Sequence, residues 1–273
     1  MTCKELIIKL KESGSAEPET EVLLLLSHMF GASRADTLLY PGKDYDSQKL
    51  LPAIRRRASG EPIQYIIGSV SFCGCNIKVT PDCLIPRSET ELLCEIVSEL
   101  LPESAHFLEL CTGSGCIPIA VLSGRDDVSC VAVELFEKTA ELARYNRDAN
   151  GIGAHRLDII CADALTLDTC TGTCRYDAIV SNPPYIRSEV IPTLSREVLC
   201  EPHAALDGGI DGMIFYNKFL SDYKVMLKPG GFFAFEIGFD QANDIKKLCE
   251  KFGYACEIKK DFSGLDRIAI IRP

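Results

Sequence analysis

The sequence predicts an α/β fold: a doubly wound, Rossmann-like domain, preceded by a small helical bundle and joined to it by a β-hairpin linker. Three observations predict it. Strand-like and helix-like segments alternate from residue 106 to the C-terminus, the pattern of a parallel sheet with helices on both faces. The first of those strands runs into a glycine-rich turn, Cys111-Thr-Gly-Ser-Gly115. Before residue 64 the apolar residues recur only at helical spacing. The expected domains are therefore a helical domain over 1–63, either a substrate-docking module or structural support, a hairpin linker over 64–87 and an α/β domain over 88–273.

In order along the chain, Lys4–Lys11, Glu19–Phe30 and Ser47–Ala58 read as helices, punctuated by Gly31 and Pro41-Gly42. Gln64–Gly68 and Asn76–Val79 are β-like and separated by Gly74, which suggests the hairpin. Ser88–Leu101 follows as a helix, with Ser88 as N-cap and Glu91 completing a capping box. His106–Leu110, Val128–Glu134, Leu157–Cys161, Tyr176–Ser181 and Phe232–Ile237 read as strands. Cys116–Ser123, Phe136–Asn150, Met213–Leu227 and Gln241–Phe252 read as helices. Only a short loop joins Ala255–Lys259 to Arg267–Ile271, which predicts an antiparallel pair at one sheet edge.

Bulk properties narrow the function. The net charge of −10 argues against nucleic acid as the substrate, because such binding draws its affinity from basic patches. The run Arg55-Arg56-Arg57 is expected to be a solvated helix end. The N-terminus has no apolar signal-peptide core, and no apolar run is long enough to span a bilayer. A cytoplasmic protein with no membrane partner and with reduced thiols is expected, despite fourteen cysteines. Cys73 and Cys75 are too close for a zinc knuckle, and Cys170 with Cys174 makes only one, so no metal is expected. Cys130 and Cys161 read as small core residues.

The turn after the first strand carries the first functional signal. Gly113 and Gly115 allow a ligand close to the backbone. Glu134 ends the next strand, 21 residues beyond Gly113, a spacing at which a carboxylate reaches ribose hydroxyls. Pro118 stands where a dinucleotide fingerprint has its third small residue, and no P-loop Lys is present. Glu109 precedes the turn, and a carboxylate suits the sulfonium and ammonium groups of S-adenosylmethionine better than a pyrophosphate. Asp163, after the third strand, is placed to reach the adenine edge.

The second signal is Ser181-Asn-Pro-Pro-Tyr185, a strand end running into a rigid turn. A planar nitrogen is a poor nucleophile because its lone pair is delocalised. The Asn182 side-chain oxygen and the Pro183 carbonyl can accept its two hydrogens and favour pyramidalisation, with the prolines keeping both acceptors stiff. Tyr185 can pack on the flat acceptor group and shield the sulfonium. This chemistry fits adenine, cytosine and glutamine alike, so the motif alone leaves them open.

Together with Glu61-Pro-Ile-Gln-Tyr-Ile-Ile-Gly68, Phe72-Cys-Gly74, Leu84-Ile-Pro-Arg-Ser-Glu-Thr-Glu91 and Glu201-Pro-His-Ala-Ala-Leu-Asp-Gly-Gly-Ile-Asp-Gly212, these motifs resemble the release-factor glutamine methyltransferase family of HemK/PrmC type over nearly the whole chain. The resemblance implies a seven-stranded S-adenosyl-L-methionine-dependent methyltransferase domain. It implies class 1 peptide chain release factors as partner, methylated on the Gln of their Gly-Gly-Gln motif. It places the cofactor on Glu109, Leu110, Cys111, Thr112, Gly113, Glu134 and Asn182, and the substrate on Asn182, Pro183, Pro184 and Tyr185. Three positions depart from the family pattern: Glu134 for Asp, Ala164 beside Asp163 where an aromatic is common in some members, and Ser88 for a frequent Pro. Glutamine in a ribosomal protein, an amino group of DNA or RNA, and a non-catalytic cofactor-binding scaffold are the competing readings. Glu201, Asp207 and Asp211 are read as part of a loop over the substrate strand rather than as a metal site.

Overall fold

A computed structural model describes residues 1–167 and 175–273. The chain forms two compact units, residues 1–69 with 194–200, and residues 70–193 with 201–273.

The first unit is helical: α1 (Cys3–Glu12), α2 (Pro18–Phe30), α3 (Arg34–Leu39), α4 (Ser47–Ala58) and α5 (Ile63–Ile67). Thr2 and Glu5 close a capping box on α1, and Gly31 ends α2 in the left-handed conformation at φ +64°. Leu6, Leu10, Leu25, Leu26, Leu50 and Ile54 form the core. The helix α3 carries a capping box, Ser33 with Asp36, but buries no residue. Without an apolar face it left no periodic signal in the sequence. The β-like stretch 64–68 is instead α5. Pro62 precedes its first turn, Gly68 stops it at φ +86°, and Ile63, Ile66 and Ile67 pack on the helical core. Burial at helical spacing overrides the β-propensity of isoleucine here.

The arginine run is not uniformly solvated. Arg57 is only 2 % exposed. It donates to both carboxylate oxygens of Glu21, at 2.9–3.1 Å, and to Glu197 from the 194–200 segment. Two carboxylates compensate the buried guanidinium. Removing one partner from such a buried group costs about 3–5 kcal/mol.

The second unit opens with a two-stranded hairpin, β1 (Ser69–Phe72) and β2 (Cys75–Lys78). Its turn residues Cys73 and Gly74 both have positive φ, as a tight two-residue hairpin requires. The helix α6 (Ser88–Leu100) starts at the predicted residue, but its N-cap is Arg87 rather than Ser88. The Glu91 carboxylate accepts from the Cys73 N–H at 2.8 Å instead of closing a capping box. A tertiary donor outcompetes the local one.

The main sheet has seven strands: β3 (His106–Leu110), β4 (Ser129–Glu134), β5 (Leu157–Cys161), β6 (Tyr176–Ser181), β7 (Leu227–Glu236), β8 (Ala255–Lys260) and β9 (Asp266–Arg272). Their order is β5-β4-β3-β6-β7-β9-β8, with β9 antiparallel to both its neighbours and the other pairings parallel. The helices between the strands are α7 (Cys116–Gly124), α8 (Glu137–Ala149), α9 (Ile214–Asp222) and α10 (Ala242–Phe252). The predicted helix 213–227 stops at Asp222 and is followed by a 3-10 turn. The strand β7 begins earlier than predicted, at Leu227. A register shift between Tyr176 and Ala178 absorbs Pro229-Gly230-Gly231. Phe233 and Phe235 of β7 pack with Tyr216, Phe219 and Tyr223 in one aromatic core. Cys130 is buried as expected, but Cys161, at the end of an edge strand, is exposed. Among the described residues no helix is long and apolar enough to cross a membrane.

Candidate active site

From β3 the chain steps outward through β4 to β5, then returns to lay β6 on the other side of β3. Strand order therefore reverses between β3 and β6, and the crevice beyond their carboxyl ends is where such sheets bind ligands. Leu110 is in register with Ser181, whose hydroxyl donates to the Leu110 carbonyl at 2.6 Å. Cys111 and Asn182 thus leave the sheet side by side.

The glycine turn is held from one continuous stretch of chain, residues 109–146. The Thr112 hydroxyl donates to Glu109, and its N–H donates to Val133 O at 3.0 Å. Cys111, Gly113 and Gly115 all have positive φ. The two glycines do different jobs. A Cβ on Gly113 would meet nothing within 4 Å, so this face lies open to the cavity. A Cβ on Gly115 would sit 3.3 Å from Ala143 and Ile119, so this glycine lets α7 and α8 approach. The buried Asn146 amide of α8 donates to Ser114 O and Lys78 O, both at 2.9 Å, and fixes the far side of the turn. Glu134 closes the turn from the end of β4: its Oε2 accepts from Gly113 N–H at 2.9 Å and its Oε1 from Phe136 N–H at 3.0 Å. Each oxygen keeps a lone pair for a hydroxyl donor.

Cys111, Thr112, Gly113, Glu134, Asp163, Ala164 and Asn182 line one cavity of about 1070 Å³, mouth included. Leu135, Phe136 and Phe215 add apolar wall. The remaining three predicted cofactor residues, Glu109, Leu110 and Gly115, do not line the cavity. Glu109 is fully buried, and burial pushes its carboxyl well above the usual range. Its Oε1 is a buried oxygen without a partner among the described residues. Burial also raises Glu134, against the pull of the amides of Phe136, Gly113 and Leu135. A cationic ligand would relieve this concentration of carboxylates, so the donor set fits a sulfonium cofactor and does not fit a pyrophosphate. Asp163 caps its own turn through Leu165 N–H at 2.8 Å, and Tyr223 donates to Ala164 O at 2.7 Å.

The Asn182–Tyr185 segment is held by residues remote in sequence. Pro183 and Pro184 are buried. Pro184 lines the cavity, whereas Pro183 and Tyr185 do not. Asn182 Nδ2 donates to Thr90 Oγ1 at 3.2 Å, and Thr90 donates to Glu236 Oε2 at 2.6 Å. Tyr185 OH is 3.4 Å from Glu236 Oε1, and burial raises its phenol. The Tyr185 carbonyl accepts from the Gln241 amide at 3.1 Å. The loop 206–212 runs along the same backbone, with Ile186 N–H donating to Leu206 O at 3.0 Å and Gly208 N–H to Ile186 O at 2.8 Å. A Cβ on Gly208 would lie 2.7 Å from Tyr185 Cα, and one on Gly212 would strike the Tyr185 carbonyl oxygen.

The three acids read as a loop have separate partners. Glu201 accepts from Ile85 N–H at 2.9 Å and from Arg87. Asp207 accepts from Ser188 and from Gly209 N–H, and Asp211 from Met213 N–H. Among the described residues no group of three His, Cys, Asp or Glu could hold a metal, and Cys170 and Cys174 lie outside the described residues. Sequence reasoning missed Thr90, Glu236 and Gln241. Glu236 carried a usable signal: it is an acid at the carboxyl end of a strand, as Glu134 is.

Comparison with known proteins agrees with this architecture. Residues 3–68 match the model of the PrmC N-terminal domain, and residues 88–233 match that of the methyltransferase small domain. The release factor glutamine methyltransferase of Caulobacter vibrioides is 35 % identical over 96 % of this chain and 92 % of its own. That of Clostridium acetobutylicum is 32 % identical over 99 % of this chain and 98 % of its own. The chain belongs to the release factor glutamine methyltransferase family. A methyltransferase from Pyrococcus furiosus, 22 % identical, covers 73 % of this chain and 88 % of its own with a TM-score of 0.56, which supports the fold. The family match includes α1–α5 in one unit and the glycine turn, Glu134 and Asn182–Tyr185 in the other.

Proposed function

We propose that this chain transfers the methyl group of S-adenosyl-L-methionine to the side-chain amide N5 of glutamine in the Gly-Gly-Gln motif of class 1 peptide chain release factors, in the cytoplasm. The observation that carries the reading is the juxtaposition of Asn182-Pro-Pro-Tyr185 with the Glu134-lined cavity, in a chain that matches release factor glutamine methyltransferases almost end to end.

When bound, S-adenosyl-L-methionine supplies an electrophilic methyl group. The Gly113 backbone would approach it closely, Glu134 would accept from its hydroxyls, Asp163 would reach its adenine edge, and Leu135, Phe136 and Phe215 would supply apolar wall. Asn182 Oδ1 and the Pro183 carbonyl accept the two hydrogens of the glutamine amide and turn its lone pair toward the methyl group. No base is needed before attack: the carbon–nitrogen bond would form as the methyl–sulfur bond breaks, leaving the neutral thioether S-adenosylhomocysteine, and the cationic nitrogen would then give its proton to solvent water. The helical unit serves as the docking domain. Leu38, Leu39 and Tyr40 support this, since they expose 61–71 % of their surface in a row.

The test is methyl transfer from labelled cofactor to a purified release factor, its Gln→Ala variant, a ribosomal protein fraction and DNA. Label on the wild-type factor alone is expected. Label on the ribosomal fraction or DNA reassigns the substrate.

A further inference from the structure

An acceptor role for Asn182 raises a question of polarity. The two ends of a carboxamide have nearly the same shape, but only the oxygen accepts. Asn182 turned the other way would present an NH₂ group to the NH₂ group of the substrate. Something must choose the end.

Thr90 and Glu236 are each 1 % exposed, so water does not supply their hydrogen bonds. Burial raises the Glu236 carboxyl, while the Thr90 hydrogen bond, the Arg267 charge and the Tyr185 hydrogen bond favour its ionised form. The ionised carboxylate only accepts, so the single Thr90 hydroxyl hydrogen is committed to Glu236 Oε2, 2.6 Å away. Thr90 Oγ1 then has only lone pairs to offer. The Asn182 group at 3.2 Å must be the donor, Nδ2. Oδ1 is left for the other side, in a residue that lines the cavity. The strand β7 holds Glu236 in place, and Tyr216 OH donates to its carbonyl at 2.8 Å. We propose that Thr90 and Glu236 are positioning residues that set the direction of the Asn182 amide, so that its oxygen faces the reacting nitrogen. The inference rests on the glutamine-methylation reading above. It adds a relay that runs Asn182 → Thr90 → Glu236, with Tyr185 joining at the second carboxylate oxygen.

The test uses the full chain, a purified release factor and labelled cofactor, with kcat and cofactor Kd measured separately. Thr90→Val removes the hydroxyl at nearly constant shape. It should lower kcat about 100-fold while changing Kd less than about 3-fold, because the lost interaction acts on the transition state. Thr90→Ser restores the hydroxyl and should return kcat to within about 5-fold of wild type. If Thr90→Val does not fold, Thr90→Ala removes the same oxygen with less bulk. Asn182→Asp provides a readout that simple packing damage does not move. Its carboxylate presents an acceptor whichever way it turns, but it leaves two acceptors facing the one Thr90 hydrogen. Asn182→Asp should therefore cost less kcat in the Thr90→Val background than in the wild type. Wild-type kcat in Thr90→Val, an equal loss in Thr90→Ser, or strictly additive losses in the double variant would overturn the relay. No methylation of glutamine by the wild-type enzyme would instead overturn the functional reading on which the relay rests.

Discussion

The two lips of the crevice are built in opposite ways. On the β3–β4 side, the turn is held from one continuous stretch of chain that runs from Glu109 to Asn146 of α8. Glu109 holds Thr112 three residues on, and Glu134, at the next strand end, holds Gly113. On the β6 side, Asn182–Tyr185 is held by Thr90, Gly208, Gly212, Glu236 and Gln241. The cofactor lip is a local motif, whereas the acceptor lip is a tertiary assembly. The chemistry explains the contrast. A cofactor needs a shape and a few hydrogen bonds, which a strand-turn-helix unit supplies alone. A poor nucleophile needs its two acceptors held in one orientation, and an exposed loop does not do that without buttresses on several sides.

The largest effect expected on this contrast comes from Asn182→Ala. Loss of an acceptor that acts at the transition state should lower kcat by about 10²–10³ while cofactor affinity changes far less. Near-normal turnover in a methyl-transfer assay would remove Asn182 from the chemistry. Next is the pair Gly212→Ala and Gly113→Ala. Both glycines have positive φ, so both carry backbone strain of about 1–3 kcal/mol on substitution. Only Gly212 also drives a Cβ into the Tyr185 carbonyl. Gly212→Ala should lower kcat about 10–100-fold and depress Tm more than Gly113→Ala, because the acceptor backbone must move. Gly113→Ala places its Cβ in open space and should act mainly on cofactor Kd. Equal kcat losses in the two variants would show that the lips are not distinct.

The same contrast explains what could be read from the sequence. The glycine turn, the 21-residue spacing to Glu134 and the Asn-Pro-Pro-Tyr strand end lie within short windows, where periodicity and turn chemistry are visible. The seven strands and the antiparallel edge pair were legible for the same reason. The jobs of Gly113 and Gly115 looked alike in sequence. Only the packing of α7 on α8 gave Gly115 a structural task. Thr90 lies 92 residues before Asn182, and Gln241 lies 56 beyond Tyr185. Their partnerships depend on where α6 and the start of α10 meet the segment after β6, which no local pattern encodes. The capping box predicted at Ser88 failed in the same way, because Glu91 found the hairpin turn instead. Tertiary demand also buried Arg57, which charge patterning placed in solvent.

A smaller effect tests the cofactor lip alone. Glu134→Ala frees the amides of Gly113 and Phe136 and removes the acceptor proposed for the ribose. It should weaken cofactor binding about 10–100-fold and leave kcat at saturation within about 3-fold, because a contact made equally in ground and transition states is lost. A calorimetric titration with unchanged Kd would defeat the assignment.

The smallest expected effect is one of pH, and its sign follows from burial. Burial raises the Glu134 carboxyl above its ordinary value of 4.5, so it takes up a proton earlier than an exposed glutamate as the pH falls. A sulfonium cation is held better by the ionised form. Cofactor affinity should be full well above the raised value and decline by several-fold as the pH drops through it, beginning above the ordinary carboxylate range. S-adenosylhomocysteine lacks the sulfonium charge, so its affinity should decline less over the same window. The difference between the two titration curves then isolates the charge interaction from any general acid weakening of the fold. Parallel curves would mean that Glu134 serves the ribose and the Gly113 turn without acting on the cation.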